Sequence, residues 1–217
     1  YSISFWVKNI STSNSVGLLI ANTNSAGDSW IGMYYTPTNG YFYNNIQKGS
    51  ASNRCGTGIA NAVPMDTTSW THICFTYNGT LKASGCTWYV NGVVTSQLSP
   101  TDTLTSTDVL GSDFQIGRNY TTTYQGSYVD EVAIWNRVLR EDEAKMLYSN
   151  GNGKFYGTQA LYQNAGQIDG LQNYYRFEQN GNDEMNLYPA TGTNVTYNNS
   201  SPIRNYYAVL DDQSKYF

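Results

Sequence analysis

Tyr1-Ser-Ile-Ser-Phe-Trp-Val-Lys8 alternates residue by residue, with Ile3, Phe5 and Val7 on one side and Ser2, Ser4, Trp6 and Lys8 on the other. A period of two is the pattern of a strand with one face in a core. Leu18 and Ile20 continue it. Further on, Met33-Tyr-Tyr-Thr36, Pro37-Thr-Asn-Gly40 and Tyr41-Phe-Tyr43 predict a hairpin, because Asn39-Gly40 supplies a turn that tolerates positive φ. Trp88-Tyr-Val-Asn-Gly92 ends a strand on another Asn-Gly turn, and Phe114-Gln-Ile-Gly117 begins the next. One short helix is predicted from Glu141 to about Ser149. Ala144, Leu147 and Tyr148 share a face, acids fill the first turn where the helix dipole favours them, and Gly151 stops it. Residues 151–173, rich in Gly, Asn and Gln, read as a connector, and the strand pattern resumes at Tyr174. Short strands punctuated by turns predict an all-β fold, a two-sheet antiparallel jelly-roll sandwich with one short helix.

The totals agree. With 217 residues the chain can bury a sizeable core. Twenty tyrosines and five tryptophans against 13% charged residues give a turn-rich, extracellular or cell-surface composition. A net charge of -4 disfavours a nucleic-acid partner, which calls for a basic stripe. No apolar run approaches the ~20 residues of a membrane-spanning helix.

The three cysteines are Cys55, Cys74 and Cys86. Cys74 and Cys86 lie on runs that read as the arms of one hairpin, so a cross-strand disulfide between them is possible if they fall opposite one another. One cysteine would then remain unpaired. Sequons at Asn9, Asn78, Asn119, Asn194, Asn198 and Asn199 fit a glycosylated surface protein.

Several strings, in order, resemble the laminin G-like branch of the concanavalin A-like lectin/glucanase superfamily. They are Ser4-Phe-Trp-Val-Lys8 (with Phe at 5), Trp70-Thr-His-Ile73, Tyr77-Asn-Gly79, Trp88-Tyr-Val-Asn-Gly92, Gln115-Ile-Gly-Arg118 and Val129-Asp-Glu-Val-Ala-Ile-Trp-Asn-Arg-Val-Leu139. His72-Ile-Cys-Phe-Thr-Tyr77 is also similar to the pentraxin signature, departing from it at Tyr77 and Asn78, and residues 1–8 hold no cysteine to reproduce the pentraxin disulfide. Tyr174-Tyr-Arg-Phe-Glu178, Asn182-Asp183 and Ala208-Val-Leu-Asp-Asp212 resemble the family's opening strands. The resemblance therefore implies a jelly roll over 1–150 without its opening strands, a connector at 151–173, and those strands at 174–217. Unpaired sheet edges must be covered, so 174–217 is expected to complete its own unit or a neighbouring one, with the neighbour favoured.

Superfamily glucanases carry carboxylates at E-x-D-x-x-E or D-x-x-E on one strand, since retaining hydrolysis needs two carboxyls ~5 Å apart. No such string occurs. Glu141-Asp142-Glu143 sits at a helix start, and Asp130 and Glu131, being adjacent, would face opposite sides of a regular strand. His72 is the single histidine, and no nucleophile elbow accompanies it. The chain reads as non-catalytic. The resemblance suggests a structural Ca²⁺ held by Asp130, Asp183 and Asn186, with Asp28 as a second loop candidate. Exposed tyrosines can stack on sugars, which nominates Tyr34, Tyr35, Tyr41, Tyr43, Tyr120 and Tyr124 for glycan binding, although about half of the hairpin set must point into the core. Two functions follow as expectations. The first is an extracellular adhesive or structural protein whose copies assemble head to tail by strand complementation. The alternative is a calcium-dependent, glycan-binding lectin-like module with cell-surface glycans as partners.

Overall fold

The computed structural model describes residues 1–8, 17–23, 28–36, 40–60, 69–107, 114–117, 127–153, 169–185, 187, 190–192, 195–199 and 206–210. For 17–23, 199, 206, 207, 209 and 210 the description is of the backbone alone.

In chain order the strands are β1 (Ser2–Lys8), β2 (Gly17–Thr23), β3 (Trp30–Thr36), β4 (Tyr41–Lys48), β5 (Ser50–Ala60), β6 (Thr71–Tyr77) and β7 (Cys86–Val90). They continue as β8 (Val93–Thr95), β9 (Leu98–Asp102), β10 (Phe114–Ile116), β11 (Ser127–Trp135), β12 (Leu171–Tyr175), β13 (Thr196–Asn199) and β14 (Tyr206–Leu210), with α1 (Glu141–Tyr148) between β11 and β12. Two antiparallel sheets result. One runs β13-β14-β11-β1-β6-β7-β8, with β12 also on β11, and the other runs β10-β2-β3-β4-β5-β9.

Alternation puts Phe5, Val7, Ile73, Phe75, Trp88 and Val132 of the first sheet against Met33, Tyr35, Phe42, Ile46 and Ile59 of the second, forming the main core. Trp88 meets Phe75 edge-on at 4.7 Å and Phe42 at 6.5 Å. A second cluster covers the other face of the first sheet, where Ala144 and Leu147 of α1 pack with Cys74, Tyr89, Trp135, Leu139, Leu171 and Tyr174. The helix is seated by its start. Arg140 N donates to Glu143 Oε2 at 2.8 Å across the first turn, and Arg137 grips the same buried carboxylate from both terminal nitrogens, at 2.9 and 2.6 Å. Asn91 and Gly92, both at positive φ, make the predicted turn between β7 and β8, with Val90 opposite Val93. A side chain at Gly92 would meet Lys145 Cα at 3.1 Å and Tyr148 Cβ at 3.2 Å, so this turn needs glycine both for its backbone and for the helix beside it.

The C-terminal strands add to β11 of the same chain. Val132–Trp135 pairs with β12, Ser127–Val129 pairs with β14, and β1 lies along the opposite edge. Both C-terminal strands thus lie on β11 and extend the first sheet. Between the two pairings sits a bulge, with Glu131 at φ 51° and the β1 register slipping between Ser4 and Trp6. Val129 and Val132 therefore both reach the main core although they are three residues apart.

Candidate functional site

The outer face of the six-stranded sheet carries the residues best suited to a ligand. Tyr35 and Phe42 point inward, with ring centroids 5.7 Å apart, so their neighbours Tyr34, Tyr41 and Tyr43 must point outward. Tyr35 is fully buried, which removes it from the tyrosine set expected to meet a glycan. Tyr34 and Tyr43 are register partners and stack at 5.2 Å with 20° between their planes. Tyr41 lies 6.0 Å from Tyr43, and Trp30 meets Tyr34 edge-on at 5.9 Å. Tyr120 and Tyr124 lie outside the described residues.

Two glycines make this arrangement possible. Gly58 opposes Tyr43 and Gly56 opposes Asn45. A Cβ on Gly58 would fall 2.6 Å from the Tyr43 ring, and one on Gly56 would fall 1.8 Å from Asn45 Oδ1. The ring and the amide thus lean over bare backbone on β5, the cross-strand packing by which an aromatic covers a glycine. Asn45 Nδ2 donates to the Tyr34 hydroxyl at 2.7 Å, and burial raises the Tyr34 pKa despite the nearby Arg54 guanidinium, so the phenol stays protonated. A half-buried aromatic row with hydroxyl, amide and guanidinium groups beside it offers both the apolar contact and the convergent polar groups that a sugar requires. Trp30, Asn45, Arg54, Gly56 and Gly58 escaped the sequence reading. Glycines two apart in Cys55-Gly-Thr-Gly58 were the available signal, since they clear one face of a strand.

The other sheet holds a buried polar group. Ser4 Oγ lies 2.8 Å from His72 Nε2, yet Ser4, His72 and Asp130 are all essentially closed to solvent. Burial pushes the His72 pKa down to about 3, and its Nδ1 has no partner, so no carboxylate orients the ring as a catalytic triad requires. Trp6 packs on His72 at 5.1 Å and stacks on Tyr148 at 5.7 Å, sealing the site. Asp130 and Glu131 are not the opposed pair expected of a regular strand, because the bulge intervenes. Asp130 accepts from Glu131 N at 2.9 Å, while Glu131 accepts from the Tyr174 hydroxyl.

Asp183 has a structural role here. Its carboxylate accepts from Tyr174 N (2.9 Å), Met185 N (3.1 Å), Asn173 Nδ2 (3.0 Å) and Leu187 N (3.2 Å). Four donors use the roughly four lone-pair directions of a carboxylate. Among the described residues no group of three or more His, Cys, Asp or Glu could hold a metal ion. Asn186 lies outside the described residues, and Asp28 is occupied at an exposed turn, accepting from Ser29 Oγ at 3.0 Å.

The β6–β7 register does not bring Cys74 to Cys86. Cys74 opposes Tyr89 and Cys86 opposes Tyr77, and the two thiols enter different clusters on opposite faces of the sheet. The expected pairing is therefore corrected: a disulfide cannot span the two faces. Among the sequons, Asn78 and Asn198 are exposed, only the backbone of Asn199 is described, and Asn9, Asn119 and Asn194 lie outside the described residues.

Comparison with known proteins places the fold. The Laminin_G_3 family model, of the concanavalin A-like lectin/glucanases superfamily, matches residues 1–145. Among solved structures, the CBM40 of the Ruminococcus gnavus IT-sialidase bound to α2,3-sialyllactose aligns at TM-score 0.51 and 16% identity, over 66% of this chain and 79% of that one. Domains LG4-5 of the mouse laminin α1 chain align at 0.44 and 16% identity, over 65% and 36%. The binding domain of botulinum neurotoxin DC, in complex with rat synaptotagmin II, aligns at 0.45 and 14%, over 69% and 35%. A search of the curated proteins found no match. With the family model covering well over half of its length, the chain belongs to the laminin G-like family of the concanavalin A-like lectin/glucanase superfamily.

Proposed function

We propose that this chain is a non-catalytic glycan-binding domain of an extracellular or cell-surface protein, and that its site is the outer face of the six-stranded sheet. The observation that carries the reading is the Tyr34–Tyr43 stack leaning over Gly58, with Asn45 over Gly56 beside it. The two glycines let the Tyr43 ring and the Asn45 amide lie across β5, so that aromatic and amide groups share one face of the sheet. Tyr41 extends the aromatic surface, and Arg54 adds a charged donor near Tyr34. The related fold that binds sialyllactose makes sialylated sugars a sensible first probe without fixing the ligand.

The non-catalytic reading rests on the solvent-sealed Ser4–His72 pair and on the burial of Asp130 and Glu131, whose carboxylates accept from Glu131 N and the Tyr174 hydroxyl. Assembly by strand complementation, the other function expected from the sequence, has less support, because β12 and β14 find their partner strand within the chain. The test is an array of immobilised sialylated, galactosylated and glucan oligosaccharides. Binding to at least one class, weakened about tenfold by Tyr43→Ala, is expected. Binding to none, or binding indifferent to Tyr43→Ala, would contradict the reading.

A further inference from the structure

Cys55 and Cys86 come from facing sheets, β5 and β7, and both are buried in the main core. Both side chains enter the one cluster between the sheets, and β5 lies against the 83–85 turn that leads into β7. The backbone around them is fixed from two directions. Cys55 is the register partner of Asp102, whose Oδ1 accepts from Ala83 N at 2.5 Å, and Lys82 Nζ donates to the Asp102 carbonyl at 3.1 Å. Gln97 Nε2 donates to the Cys86 carbonyl, while Gln97 Oε1 accepts from Thr57 Oγ1 at 3.1 Å. Gln97 and the 82–83 turn thus tie the start of β7 to β5 on both sides of the sulfur pair.

We propose that Cys55 and Cys86 form a disulfide that bolts the two sheets together, leaving Cys74 as a buried thiol in the second cluster. Two cysteines that share one core cluster, on facing strands tied together from both sides, are placed to bond, whereas Cys74 lies beyond the sheet from both.

The oxidant is a small-molecule disulfide such as oxidised glutathione, and the exchange occurs while the chain folds, before the core closes. The Cys55 thiolate attacks one glutathione sulfur and expels the other as a thiolate. The Cys86 thiolate then attacks the Cys55 sulfur of this mixed disulfide and releases the second glutathione. The protein loses two electrons and two protons, which leave with two molecules of reduced glutathione. Fixing a loop of about 30 residues restricts the unfolded chain and stabilises the folded one.

The full chain, refolded in a glutathione redox buffer, is denatured without reductant and treated with an alkylating agent. The expected result is a mass about 2 Da below the all-thiol chain before alkylation and a single alkylated cysteine, Cys74, afterwards. Cys74→Ser should keep the mass deficit, with no cysteine left to alkylate. Reduction of the native protein should lower Tm by on the order of 10 °C. Three alkylated cysteines, or a cross-linked peptide containing Cys74, would overturn the proposal. The alkylation readout does not depend on whether Cys55→Ser or Cys86→Ser variants fold.

Discussion

Ser4 Oγ and His72 Nε2 stand 2.8 Å apart between two neighbouring strands, a contact that resembles half of a hydrolytic triad and works as core packing. Both residues lie on the face of the sheet that carries Trp6 and Tyr148, and the aromatic cover excludes water from them. An imidazole with its pKa near 3 is neutral across the physiological range and cannot serve as a general base there.

That burial has a consequence for acid stability. The unfolded chain takes up a proton on its histidine near pH 6.5, and the folded chain refuses it until about pH 3. Stability is therefore complete above 6.5 and falls as pH drops through this window, by about 1.4 kcal/mol per pH unit. Denaturant melts of His72→Gln should show a flatter slope between pH 6.5 and 5. An unchanged slope would mean that His72 titrates normally in the folded protein.

The Arg137–Glu143 pair joins the 137–140 segment to the helix. Hydrogen bonding from Arg137 holds Glu143 below the ordinary glutamate range, so its stabilising effect is present above that range and lost as pH falls below it. Arg137→Met leaves the buried carboxylate facing an apolar group and should cost about 3 kcal/mol in denaturant melts at pH 7. A loss below about 1 kcal/mol, the size of an exposed pair, would show that the pair contributes little.

Asp183, filled by four N–H donors, is expected to act without metal. Melting curves with excess EDTA and with millimolar calcium should coincide, while Asp183→Ala should melt lower in both. A fall in Tm on chelation that Asp183→Ala abolishes would restore calcium to this site.

Much of the fold is legible in the sequence because regular strands and turns announce themselves. Ile3, Phe5 and Val7 face the core as their alternation predicts, Asn91-Gly92 turns where expected, and α1 begins at Glu141. Interruptions of regularity are what the alternation hides. Leu171 and Tyr174 share a face although three residues apart, because pairing skips between Ile134 and Trp135 opposite them, so β12 begins before the predicted Tyr174. The bulge at Glu131 defeated the same parity argument for Asp130 and Glu131. Cysteine pairing failed for another reason. Opposition across a hairpin depends on register, and which core cysteines face one another across the sandwich depends on how two sheets stack, which no local pattern encodes. The tyrosines of the site were visible, whereas the glycines that accommodate them became meaningful only once β5 lay beside β4.

Pairing of β12 and β14 with β11 inside the chain predicts a monomer. Light scattering at micromolar concentration should give the mass of one 24.2 kDa chain. A dimer or an open series of larger species would favour exchange of residues 174–217 between copies.

The most direct measurement of the central claim is an amide NMR titration of the uniformly labelled chain with whichever oligosaccharide the array selects, starting from α2,3-sialyllactose. The account predicts saturable shifts centred on Tyr34, Tyr41, Tyr43, Asn45, Arg54, Gly56 and Gly58, with Val93 and Val94 on the other sheet unmoved. Saturable shifts confined to other surfaces, or none with any sugar of the panel, would contradict it.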